Sequence, residues 1–133
     1  MDYVESFRDL KVYKLCRLLS KEIFDISKSF PKEEMYSLTD QIRRSSRSIG
    51  GQIAEAWGKR PYEKHFVSKL TDADGEQLET QHWIETALDC SYLSNEVAEL
   101  LMQKYAEIGR MLNSMMNKSE SFCKPSINRI SNN

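Results

Sequence analysis

Gln41–Arg60, QIRRSSRSIGGQIAEAWGKR, is the stretch whose reading decides the fold. With Leu38 before it, Ile42, Ile49 and Ile53 recur at helical spacing and mark one buried stripe of an amphipathic helix. At about 100° per residue, Arg43, Arg47, Gly50, Ala54, Trp57 and Gly58 gather within about 100° of arc, off the face that carries the isoleucines. A glycine inside a helix costs about 1 kcal/mol relative to alanine. The solvent face of a monomer has no packing use for Gly50 and Gly51. The stripe therefore predicts a second contact surface, for another subunit or for an anionic partner.

Outward from this helix, the same periodicity recurs three times. Val12, Leu15, Cys16, Leu19, Ile23, Ile26 and Phe30 predict helix 1 over about Arg8 to Ser29. Pro31 ends it, because the residue before a proline is pushed out of the helical region. Lys32, Glu33 and Glu34 open helix 2, whose stripe runs through Met35, Leu38, Ile42, Ser45, Ile49, Ile53 and Ala56. Gly58 is its C-cap candidate. Pro61 suits the first position of helix 3, where an unpaired amide costs nothing. Phe66, Leu70, Ala73, Gln77, Thr80, Ile84 and Ala87 point inward along that helix to about Tyr92, and Asp72, Asp74 and Gly75 allow a local bend. Ser94 caps helix 4, with Val97, Leu101, Tyr105, Ile108, Leu112 and Met115 as its stripe. The expectation is an all-α, antiparallel up-down-up-down four-helix bundle over residues 1–118. Residues 119–133, SESFCKPSINRISNN, read as a disordered C-terminal tail that carries Lys124 and Arg129.

Composition narrows the class. The chain has 133 residues, 40% hydrophobic and 29% charged, which suits one globular domain, and only 5 Gly and 3 Pro argue against an all-β protein. A net charge of −1 gives no global reason to expect nucleic-acid binding. No run approaches the roughly 18 apolar residues of a membrane span, and the polar start MDYVESFRDL carries no secretory pattern. Cys16, Cys90 and Cys123 are odd in number without a CxxC pair, as for reduced thiols of a cytoplasmic protein without a membrane partner. Cys16 falls in the core stripe, and Cys90 is expected as a buried structural thiol.

Charge is unevenly distributed. Residues 31–60 carry six Lys/Arg against four Asp/Glu, and residues 61–93 carry two against seven. Arg43, Arg44 and Arg47, with Lys59 and Arg60 beyond them, form one cationic cluster. Arginines grip phosphate bidentately, and Trp57 offers a face to an unpaired base. The alternative is that these arginines pair with the acids of helix 3 or of a neighbouring subunit. Gly50, Gly51 and Ala54, beside Trp57, admit a kink, a large side chain of the same chain, or a helix of another subunit; the subunit interface is the reading adopted. Glu79 and His82 form an ExxH, the spacing that di-iron bundles use to place two ligands on one face. Those sites need a second ExxH, and the residue three before His65 is Tyr62. A metal-dependent enzyme is kept as a minor alternative, with no catalytic residue, metal ligand or cofactor assigned.

FPKEEMYSLTDQIRRSSRSIGGQIAEAWGKR, with FRDLKVYK before it and KLTDADGEQLETQHW after it, resembles the bacterial four helix bundle protein family, once labelled S23 ribosomal protein. Much of that family reads Asn-Ile-Ala-Glu-Gly where this chain has Gln52-Ile53-Ala54-Glu55-Ala56. Members were first noticed in intervening sequences of large-subunit ribosomal RNA genes. The family includes the accessory protein of diversity-generating retroelements, which works with a reverse transcriptase and its template RNA. The resemblance implies a non-enzymatic antiparallel bundle assembled as a homo-oligomeric ring, typically a pentamer. It also implies RNA, DNA or a protein such as a reverse transcriptase as partner. Two functional expectations result: an RNA- or DNA-associated accessory protein working through Arg43, Arg44, Arg47, Lys59 and Arg60, and a protein–protein assembly module with no nucleic-acid role.

Overall fold

The four apolar stripes become four long helices: α1 (Lys11–Ser27), α2 (Leu38–Gly58), α3 (Glu63–Asp89) and α4 (Asn95–Asn117). A short α5 (Ser119–Cys123) follows. They are seen in a computed structural model that describes residues 4–123, among which there is no strand. Each long helix touches two others, α1 on α2 and α4, α3 on α2 and α4, which leaves α1 and α3 on one diagonal. Arg44 meets Glu79 while Glu55 meets Lys69, so α2 and α3 run in opposite directions. Gly109 lies against Gln77 and Met116 against Thr71, so α3 and α4 do the same.

Burial follows the sequence stripes closely. Leu19, Ile23, Ile42, Ile49, Ile53, Phe66, Leu70, Ile84, Ile108 and Leu112 are fully enclosed. Each such side chain contributes about 1.5–3 kcal/mol relative to an exposed one. Two polar contacts cross this core. Ser45 and Thr80 share a hydrogen bond of 2.8 Å between α2 and α3. Gln77, between Asp74 and Gln81, passes close to Gly109 on α4. A Cβ at Gly109 would stand 2.8 Å from Gln77 Nε2, so the glycine leaves room for the buried Gln77 amide.

Several boundaries differ from expectation, each for a local reason. Leu10 is extended (φ −68°, ψ 132°), so α1 starts at Lys11, and Phe7–Asp9 form a separate 3-10 turn capped reciprocally by Ser6 and Asp9. Lys32–Glu34 form another isolated 3-10 turn. Glu34 is diverted to accept hydrogen bonds from the Leu38 amide and the Tyr92 hydroxyl, and α2 starts only at Leu38. Met35 thereby leaves the core stripe and is half exposed. Gly58 is the last residue of α2 and Lys59 its cap; no described glycine has a positive φ. Pro61 lies outside α3, whose cap is Tyr62. Asp72, Asp74 and Gly75 sit in unbroken helix. On α4 the core position falls to Ala98, and Val97 is 39% exposed.

The ends of α3 and α4 hold the remaining differences. α3 stops at Asp89, where Ser91 (φ 64°) donates to the Leu88 carbonyl and Tyr92 to the Ala87 carbonyl. This is a Schellman stop with serine in the left-handed position usually given to glycine. Cys90 consequently lies in the turn and is exposed, not buried. Beyond α4, where a disordered tail was expected from Ser119, residues 119–123 form α5 and return to the bundle. Phe122 stacks on Phe66 at 5.7 Å, and Cys123 is buried. The apolar pair Phe122–Cys123 outweighs the Ser-rich composition around it. Lys124 and Arg129 lie outside the described residues.

Candidate functional site

α2 distributes its arginines over different neighbours. Arg44 points to α3 and binds two carboxylates, Glu79 at 2.5 Å and Glu76 at 3.4 Å. Burial works to raise the Glu79 carboxyl, and hydrogen bonds from Arg44 and from Trp83 Nε1 outweigh it, leaving its pKa below the ordinary value. Arg43 points to α1 instead. Its Nε donates to Ser27 Oγ at 2.8 Å, and its guanidinium lies 4.7 Å from the centre of the Phe24 ring. Arg47, one turn on, stands 5.4 Å from the same ring. Arg60 stacks on Trp57 at 3.7 Å and donates to the Trp57 carbonyl, at the far end of the helix. Lys59 is exposed. Of the five cations expected as one cluster, Arg43 and Arg47 share the Phe24 ring, Arg44 turns to the acids of α3, and Lys59 and Arg60 lie at the far end of the helix.

The glycines look elsewhere. Gly50 faces Tyr13 of α1, whose ring carbon would be 3.5 Å from an added Cβ, an ordinary contact. Gly51 is exposed and has nothing within 4 Å of an added Cβ. Both, with Ala54 and Arg47, line a groove of about 200 Å³ between α1 and α2. Tyr13, Arg17 and Ser20 form its opposite wall, Phe7 one end, and the Cys16 thiol lies among its lining residues. Burial pushes that thiol up to about 12, so it is no nucleophile at neutral pH. Neither Arg17 nor Arg47 has a carboxylate partner among the described residues. Trp57 is half-buried under Arg60.

One feature of α1 escaped the sequence reading. Lys11, Lys14, Arg17 and Lys21 are all exposed and share the solvent face, opposite Val12, Cys16, Leu19 and Ile23. The signal was the recurrence of cations at three- and four-residue steps in KVYKLCRLLSK, the polar complement of the apolar stripe. Lys21 pairs with Asp25 at 2.8 Å. Diagonally across the bundle, the surface of α3 shows Asp72, Glu85 and Asp89. A net charge of −1 therefore combines an exposed cationic row on α1 with exposed carboxylates on α3, of which Asp72 lies 4.0 Å from Lys69 and which share that helix with exposed Lys64.

The ExxH of α3 gathers no further ligands. Glu79 is held by Arg44 and Trp83, and His82 is exposed beside Trp83. Among the described residues no three or more His, Cys, Asp or Glu are placed to hold a metal ion. No described helix is long and apolar enough to cross a membrane.

Comparison with known proteins places this surface in a family context. The model of the 23S rRNA-intervening sequence protein family matches residues 8–114. A 1.70 Å crystal structure of a protein of unknown function from the S23 ribosomal protein family of Bacteroides thetaiotaomicron VPI-5482 is similar, with a TM-score of 0.72 and 28% identity. The match covers 80% of this chain and 95% of that one. No curated protein matches the chain.

Proposed function

The chain belongs to the 23S rRNA-intervening sequence protein family, and from that premise we propose that it is a non-enzymatic accessory scaffold that assembles with copies of itself. One observation carries the reading: charge and exposed glycine are arranged as two complementary sides of one bundle. The α1–α2 side has Arg17, Arg47 and the bare backbone of Gly51, while α3 has Asp72, Glu85 and the equally bare Gly75. Complementary patches that differ from each other join head to tail, and such contacts close into rings when the rotation per subunit permits. Sedimentation velocity tests this. The expected species is several times the 15.5 kDa chain mass and shrinks as salt is raised. A monomer at low salt and micromolar concentration contradicts it.

A second reading rests on the cationic stripe of α1. Lys11, Lys14 and Arg17 lie on one exposed face without a carboxylate partner among the described residues. In an assembly the stripe is repeated in every subunit, which raises avidity for a polyanion without a new contact. Here the nucleic-acid role moves from the arginines of α2 to the cations of α1. The check is retardation of single-stranded RNA at low salt. Lys11→Glu with Lys14→Glu is expected to abolish it and to leave the sedimenting mass unchanged. Retention of RNA by that variant counts against the stripe.

A further inference from the structure

Resting on the assembly reading, we infer that the α1–α2 groove is the socket for the outer ridge of α3 of the next copy, centred on Gly75 and Leu78. At about 200 Å³ the groove is smaller than the roughly 300–1,000 Å³ of sites that enclose drug-sized ligands. It takes one or two side chains. Its rim carries Arg17 and Arg47, so its occupant is acidic. Leu78 is 55% exposed in the middle of an otherwise polar helix surface, and Asp72 and Glu85 lie one or two turns to either side of it. Leucine between carboxylates is the complement of a glycine-floored groove between arginines.

The heights of the two surfaces agree. Arg44 is level with Glu79 and Glu55 with Lys69, so Ser46 through Gly51 are level with residues 72–78 of α3. Bundles set side by side with parallel axes therefore bring the groove to Asp72, Gly75 and Leu78 without a vertical shift. Gly51 and Gly75 each have open space where a Cβ would stand, and neither is used within its own chain. At the proposed contact both have one use, the close approach of α2 and α3 from different copies. Because the two faces differ and lie on different sides of the bundle, the contact is heterologous and every copy offers both.

Cysteine cross-linking reads this directly. In a Cys90→Ser background, Gly51→Cys and Gly75→Cys are made singly and together, and each sample is treated with a short bis-maleimide. Where the double variant sediments as an assembly it is expected to give a covalent ladder beyond dimer, and each single variant to stay at the monomer band; loss of assembly in the double variant while the wild-type chain assembles also supports the contact, because both added Cβ atoms stand in it. Both positions are exposed with open space, so folding is preserved, and circular dichroism confirms it. Dimers from either single variant, or no ladder from a double variant that still sediments as an assembly, overturn the face pairing alone. A double variant and wild-type chain that both sediment as monomers overturn the assembly reading with it. Protection of Gly51→Cys from a mono-maleimide by single-stranded RNA, with no protection from added wild-type protein, assigns the groove to nucleic acid and also overturns the proposal.

Discussion

α2 has two seams, and they differ in how complete they are. Toward α3, Arg44 is satisfied by Glu76 and Glu79, Ser45 by Thr80, and Glu55 by Lys69. Away from α3, on the same few turns, Arg47 stands over the Phe24 ring without a carboxylate partner among the described residues, and nothing lies within 4 Å of a Cβ added at Gly51. One helix thus carries a seam that folding completes and a groove that folding leaves open. Stability is expected to depend on the first and association on the second.

The sharpest separation comes from a core residue of the completed seam. Ile49→Ala, at a fully buried position, is expected to cost about 2–5 kcal/mol in denaturant unfolding, as for other large-to-small core changes. Cross-linking of the folded fraction is expected to be unaffected; a loss of association at unchanged stability would erase the distinction. Next in size is Ser91→Gly at the end of α3. It relieves a left-handed serine and is expected to raise stability by about 1 kcal/mol, with sedimentation unchanged. Gly51→Ala puts a Cβ into open space in mid-helix and is expected to stabilise dilute monomer by up to about 1 kcal/mol. Thermal melts at falling protein concentration measure that gain apart from association, which the same Cβ weakens.

The smallest effects belong to the ion pair. Arg44→Ala is expected to cost under about 1 kcal/mol and less in high salt, because the Arg44 side chain is 46% exposed. Acid titrates the same contact. Glu79 has its pKa lowered in the folded chain, so the unfolded chain binds the proton more readily. The contribution is full above the ordinary carboxyl value of 4.5 and is lost as pH falls through the lower folded value. Glu79→Gln is expected to flatten that part of the pH–stability curve, and an unchanged acid slope would show that the pair contributes nothing.

Apolar periodicity made the four helices legible, because burial dominates where a stripe repeats over four or more turns. It was silent at boundaries decided by single contacts, such as Glu34 turning to Tyr92 or Phe122 returning to Phe66. Within the cationic cluster, Arg44 turns away from Arg43 and Arg47 for a different reason. Arg43 and Arg44 are adjacent in sequence and so point about 100° apart on a helix, one to Phe24 and one to Glu79. Adjacency in sequence is not adjacency on a helix surface. Gly50 and Gly51 were correctly set apart from the core face, and Gly50 then proved to face Tyr13 of its own chain, which leaves Gly51 as the unexplained one.

The open groove has meaning only if something closes it, and the mass of the protein in solution addresses that first. Sedimentation velocity of the wild-type chain at low salt is predicted to give one species at a multiple of 15.5 kDa greater than two, dissociating as ionic strength rises. A single monomeric boundary across micromolar concentrations would contradict the account.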